Sequence, residues 1–248
     1  MILFIDSGNS RIKWGVHGDG RWLESGVLDH AGVEELEGLT RRFPQATRAM
    51  LANVAGDAVL GSIRQAIAAS RLELNEAKSA PAACGVVNLY ENPGRLGVDR
   101  WCALIGAWRL TSAPCVVVMA GTATTIDTLD GGGRFLGGFI LPGLDLMRRS
   151  LARDTAALPL AAGKYCAWPR CTDDAITSGC VEAQVGAIER AVARLGNGAM
   201  CLLSGGSAVV IGEHLGIPHQ RVDNLVLEGL LRLAGDLPAE HASGKNSS

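Results

Sequence analysis

Two aspartates stand where a carboxylate could do chemistry. Asp6 closes the apolar run of residues 2–5 and is followed at once by Ser7, Gly8, Asn9 and Ser10. A carboxylate at the end of a buried strand is costly unless it is paired, hydrogen-bonded or close to a cation. Magnesium carried by a phosphate group, held directly or through water, would supply that cation. Asp99 lies in Gly97-Val98-Asp99-Arg100, which opens a helical pattern carrying Trp101, Leu104, Ile105 and Trp108. It suits a helix N-cap. It equally suits a general base, because phosphoryl transfer asks chiefly for alignment, charge neutralisation and one carboxylate to accept the hydroxyl proton. Arg100 beside it could grip a substrate carboxylate in a two-pronged geometry that lysine cannot copy.

Tight turns rich in Gly, Ser, Thr and Asn present N–H groups and hydroxyls to phosphate oxygens. Residues 6–10 form one such turn, and Ala120-Gly121-Thr122-Ala123-Thr124-Thr125 forms a second. Each alone would pass for an ordinary hairpin. Facing one another, they could grip a nucleoside triphosphate across a cleft, with Ser204-Gly205-Gly206-Ser207 on the adenosine side. Lys13 could neutralise phosphate or simply sit exposed on its strand.

The elements that must hold these turns read as α/β. Strands at 2–6, to Val16, and along RWLESGVL (21–28) form a meander with a Gly-Asp-Gly turn. Helical periodicity covers 31–43, 57–71 and 98–111, with strands near 48–53 and 72–78, in the order βββαβαβα. Residues 2–23 overlie 115–136 at a constant offset of 113, which places Gly8 on Gly121, Gly18 on Gly131, Gly20 on Gly133 and Leu23 on Leu136. A duplicated meander follows. Helices near 142–154, 172–195, 206–215 and 224–235, with strands near 199–204 and 218–222, complete a second unit. The units span 1–113 and 114–240, and the small polar residues of 241–248 read as a disordered tail.

Composition excludes several classes. At 248 residues, 48% hydrophobic and 19% charged, the chain has ample core and is not disordered. Its 23 basic and 25 acidic residues leave no positive excess for nucleic acid. No run of about 18 apolar residues predicts a membrane span, and Asp6 interrupts any signal peptide, so a cytoplasmic protein is expected. The seven cysteines form no C-x-x-C pair and read as reduced core thiols. Cys166, Cys171 and Cys180 fit no closed four-ligand zinc pattern, and the five histidines form no cluster.

The motifs DSGNSRIKWG (6–15), GVDRWCALIGA (97–107), AGTATTID (120–127), GGFILPGLDLMRRSL (137–151), TAALP (155–159), CTDDAITSG (171–179), SGG (204–206) and VLEGL (226–230) run across essentially the whole chain. With them the chain resembles the type III pantothenate kinases, in the superfamily of acetate and sugar kinases, heat-shock chaperone ATPases and actin. The resemblance implies two tandem ribonuclease-H-like units with a nucleotide cleft between them. It also implies ATP-dependent phosphorylation of pantothenate to 4′-phosphopantothenate, the first step of coenzyme A biosynthesis.

By the same resemblance, Asp6, Ser7, Gly8, Asn9, Ser10, Arg11, Ile12, Lys13 and Thr122 bind ATP, and Asp6 serves its magnesium. Tyr90, Gly97, Val98, Asp99, Arg100 and Thr172 bind substrate, with Asp99 as proton acceptor. Thr172 is expected from the neighbouring subunit of a homodimer, and the spacing of Val181, Val185, Ile188, Val192 and Leu195 offers a packing seam. A potassium or ammonium ion is implied as well, but Met119 stands where many members carry an aspartate, and the repeat likewise sets Met119 on Asp6. A thioether is a poor ligand for so hard a cation, so either other oxygens bind it or the site is not needed. The alternatives are a superfamily kinase for another small hydroxylated substrate and a non-catalytic nucleotide-binding regulator.

Overall fold

The computed structural model describes residues 1–196 and 198–236, so the expected tail at 241–248 and residues 237–240 of the second unit lie outside the described residues. Strands β1 (Ile2–Ser7), β2 (Arg11–Gly18) and β3 (Arg21–Asp29) form the first meander. Helix α1 (Glu35–Arg42), β4 (Arg48–Asn53), α2 (Asp57–Ile67) and β5 (Glu73–Glu76) follow. Both β4 and β5 run parallel to β1, in the sheet order β3-β2-β1-β4-β5. Parallel neighbours need a crossover, and α1 and α2 supply it while covering one face. Leu3 and Ile5 on that face meet Leu36, Leu39, Ile63 and Ile67. The alternation of β1 turns Phe4 and Asp6 to the other face.

Two very short strands come next, β6 (Ala82–Ala83) and β7 (Val86–Asn88), and then α3 (Val98–Thr111). The second unit runs β8 (Cys115–Ala120), β9 (Ala123–Leu129), β10 (Arg134–Pro142), α4 (Leu144–Asp154), α5 (Thr172–Leu195), β11 (Met200–Ser204), α6 (Ala208–Gly212), β12 (Gln220–Arg221) and α7 (Leu225–Asp236). Its sheet order is β12-β11-β8-β9-β10-β7-β6. Read from β10 to β12, this repeats the first sheet strand for strand, so the fold is two tandem ribonuclease-H-like units. The hairpin β6–β7 lies outside the elements expected from the sequence, and it joins the second unit's sheet by pairing β7 parallel to β10.

The repeat is less uniform than a gapless overlay implies. Strands β1 and β8, and likewise β3 and β10, keep the offset of 113. Between them, Asp6 pairs with Lys13 whereas Met119 pairs with Thr125, so the second turn is one residue shorter. The next hairpin is one residue longer, since His17 pairs with Trp22 and Leu129 with Phe135. The structural counterpart of Lys13 is therefore Thr125 and not Ile126. A β-bulge is duplicated with the units: the register shifts across Leu23 on β3 and across Leu136 on β10.

Between the two sheets lie α3 and α7. Phe4, Met50 and Ala52 from one sheet and Val117, Leu129 and Leu202 from the other enclose Trp101, Leu104 and Ile105 of α3 and Leu227 and Leu230 of α7. The two helices touch backbone to backbone. A Cβ added at Gly106 would lie 2.4 Å from the Leu225 carbonyl oxygen, and one at Gly229 would lie 1.8 Å from that of Cys102. The expected seam on α5 is occupied within the chain, because Val181, Val185 and Ile188 pack on Val116, Val118 and Ile126. Cys102, Cys115, Cys180 and Cys201 are buried thiols as expected, but Cys171 is exposed just before α5.

Candidate active site

The phosphate turns are held by the ends of the two central strands. In the first, the Gly8 N–H donates to the Arg11 carbonyl at 3.0 Å, and the Gly8 carbonyl lies 2.9 Å from Nε2 of His30. In the second, the Gly121 N–H donates to the Ala123 carbonyl at 3.1 Å. The third turn leans on the second, the Ser207 N–H donating to the Ala120 carbonyl at 3.0 Å. The first two meet across the cleft: Ser10 Oγ lies 2.7 Å from Thr122 Oγ1. The structure thus brings both expected phosphate-binding segments to one place.

Beneath that contact sits Asp6, only 9% exposed. Burial pushes its carboxyl up to about 7, the Asp99 carboxylate adds to the rise, and Lys13, opposite it on β2, pulls the other way. Such a group fits a cation position, because a cation beside it restores the ionised form. Among the described residues no cluster of three or more His, Cys, Asp or Glu could hold a metal by itself. Magnesium bound mostly through phosphate needs only one or two carboxylates.

Asp99 faces the same space from the first turn of α3. The N-cap is Gly97, not Asp99. Its carboxylate therefore does not close the helix end; Oδ1 accepts the Arg100 N–H at 2.8 Å, and a negative group suits this first turn. Burial raises its pKa against the pull of the Arg100 main chain and guanidinium. A base shifted up from the ordinary carboxylate range is the better proton acceptor near neutrality.

Arg100 is buried, and its fork is already engaged. Nε donates to Asp127 Oδ2 at 3.1 Å, Nη2 donates to Oδ1, and Nη1 donates to the Tyr90 hydroxyl at 2.9 Å. The two-pronged grip expected for a substrate carboxylate is thus made on a carboxylate of the chain. Tyr90 is half-buried and sits 5.4 Å from Phe135, centroid to centroid. It reaches this place because β7 pairs with β10 just upstream. Asp127 went unassigned in the sequence, although an acidic residue inside the strand text T-T-I-D-T-L calls for a buried partner.

Thr172 is not part of this cluster within one chain. It is exposed at the start of α5, which packs on the face of the second sheet opposite Asp127. There it lines an apolar groove of about 570 Å³ with Pro142, Met147, Leu151, Leu158 and Ile176.

A family model described as type III pantothenate kinase matches residues 2–194. A type III pantothenate kinase of Dechloromonas aromatica is 55% identical over 235 residues, covering 94% of this chain and 99% of its own. One of Aromatoleum aromaticum is 51% identical over 236 residues, covering 94% and 98%. Among solved structures, a Campylobacter jejuni protein assigned as a Baf family transcriptional activator superposes with a TM-score of 0.62 at 20% identity, covering 95% of this chain and all of its own. At that identity the likeness concerns the fold alone.

Proposed function

The chain belongs to the type III pantothenate kinase family and catalyses ATP-dependent phosphorylation of pantothenate in coenzyme A biosynthesis, and from the site we infer how its residues do so. The observation that carries the reading is that the turns of Ser10 and Thr122 touch between the two units while Asp6, at the head of the first turn, feels the charge of Asp99. The segment Asp6 to Lys13 and Thr122 hold the triphosphate. Asp6 with the phosphates would hold magnesium, which when bound neutralises charge on the phosphate oxygens. The primary hydroxyl of pantothenate attacks the γ-phosphorus, forming the new O–P bond as the bond to the leaving ADP oxygen breaks. Its proton passes to the Asp99 carboxylate. Gly97 and Val98 line the approach, while Tyr90 and Arg100 face the far end of the substrate.

The test is ADP release from magnesium-ATP in protein freed of potassium and ammonium, with and without pantothenate. Pantothenate-dependent release is expected; ATP binding without it would move the chain to another substrate or a regulatory role. The same assay reads the monovalent cation. The position expected to supply a carboxylate does not fit one: Met119 offers a thioether, and the oxygens beside it in register are the neutral hydroxyls of Thr125 and Ser204. Added potassium or ammonium should change the rate by less than about twofold, far below the several kcal/mol of charge stabilisation that an essential cation supplies. A large rise would show that other oxygens bind the ion.

A homodimer accounts for Thr172. Across the second sheet from its own Asp127, it completes a site only if it serves a partner; the groove it lines is apolar, and Ile140, Leu160 and Trp168, within four residues along the chain of lining residues Pro142, Leu158 and Thr172, are exposed. Such apolar exposure is common at subunit interfaces. Sedimentation should give twice the chain mass of 25.9 kDa; a fully active monomer would refute the arrangement. No helix among the described residues is long and apolar enough to cross a membrane, and the composition supports a cytoplasmic enzyme.

A further inference from the structure

Asp127 has no role in the mechanism above, yet it is fully buried in the middle of β9. A carboxylate in that position is tolerated only with a close partner. Arg100 supplies one, meeting both carboxylate oxygens through Nε and Nη2. Room for the pair is left by Gly138, the residue opposite Asp127 on β10, where a Cβ would lie 2.1 Å from Asp127 Oδ1. The guanidinium carbon also lies over two aromatic rings, 5.6 Å from the Tyr90 centroid and 5.8 Å from that of Phe135. Of the five N–H donors of an arginine, three are engaged by Asp127 and Tyr90, and two remain. The chain neighbour of Arg100 is Asp99, a second carboxylate to which the same guanidinium is electrostatically attracted.

We propose that Asp127 is a positioning residue for the pantothenate site: it draws Arg100 away from Asp99 and turns the free guanidinium donors, beside Tyr90, towards the substrate's carboxylate. The proposal rests on the kinase reading above. Two consequences follow from the charge balance. With Asp127 present, Asp99 Oδ2 stays open to the hydroxyl that must give up its proton, Oδ1 being held by the Arg100 N–H. With its charge removed, Arg100 has Asp99 as its alternative anion, and both substrate grip and proton acceptance suffer together.

The test uses the full chain carrying Asp127→Asn, which keeps the shape and removes the charge. The KM for pantothenate should rise about tenfold or more and kcat should fall, while the KM for ATP stays within about twofold, a split that general destabilisation does not produce. In an Arg100→Lys background the same substitution should add less than about a twofold effect, because two residues acting as one unit are not additive. An unchanged pantothenate KM, an equal rise for both substrates, or a full additive effect in the lysine background would each overturn the proposal. Since breaking a buried pair destabilises, Asp127→Glu provides a second reading. It keeps the charge but displaces Arg100 by one methylene, and should raise the pantothenate KM alone; no change there would again be fatal. Wild-type protein inert towards pantothenate would overturn the kinase reading and this proposal with it, whereas an active wild type with an unaltered Asp127→Asn variant overturns the proposal alone.

Discussion

Asp99→Asn will bind magnesium-ATP as the native chain does and will turn over pantothenate about 10²–10⁴-fold more slowly, the range for a lost general base. The substitution is close to isosteric. The amide oxygen can still accept the Arg100 N–H that Oδ1 accepts now at 2.8 Å, so the first turn of α3 keeps its local hydrogen bond. What disappears is the ability to take a proton. Because burial disfavours the ionised form of Asp99 and its charge adds to that of Asp6 nearby, removing it should leave thermal stability the same or higher. The variant therefore separates chemistry from folding: ATP affinity and melting temperature hold while kcat collapses. A kcat within about threefold of wild type would remove Asp99 from the proton-acceptor role, since even weak general bases contribute more than that.

Gly229→Ala should be among the most destructive single methyl additions, since a Cβ there would make the closest approach of any described glycine. The new Cβ would lie 1.8 Å from the Cys102 carbonyl oxygen and 2.5 Å from its carbon, against backbone that cannot rotate aside. The helices α3 and α7 would have to part, opening the core around Trp101 and Leu104. Overpacking commonly costs about 1–3 kcal/mol, and a backbone clash of this kind belongs at or above that limit. At roughly 2–4 °C per kcal/mol for a domain of this size, a melting point lower by about 6–12 °C or more is expected. Activity should fall too, because α3 carries Asp99 and Arg100 at its head. Gly186→Ala is the control: exposed on α5 with nothing within 4 Å of a Cβ, it should stabilise by about 0.5–1 kcal/mol. Equal melting points for the two variants would refute the close-contact argument.

Much of this architecture is legible in the chain because periodicity and turn residues are local signals. The text of 172–195 has helical spacing and becomes one helix with those bounds, and 48–53 becomes a strand. The phosphate turns announce themselves through glycine and hydroxyl residues. Long-range pairing leaves no such trace. Strands β6 and β7 are too short to show alternation, and the edge β7 joins lies far along the chain. Arg100 and Asp127 both fall within motifs, yet nothing in either motif says that they meet. The apolar spacing on α5 is the same whether it meets its own sheet or a partner, and here it meets its own sheet. Even the repeat hides its two one-residue shifts, because they cancel before Arg134 and the overlay recovers its register.

The pairing of β7 with β10 also bears on how the enzyme comes into being. In a chain made from its N-terminus, β7 emerges before the edge it joins exists. Until β10 is in place, residues 82–88 have no sheet to extend and Tyr90 has no fixed position. Asp127, which anchors Arg100, is likewise still to come. The first copy of the repeat therefore leaves the ribosome with Asp6, Tyr90, Asp99 and Arg100 all present and the site unbuilt. Duplication here did not place two working halves side by side; it left a first half whose reactive residues acquire their geometry only once the second has folded against them.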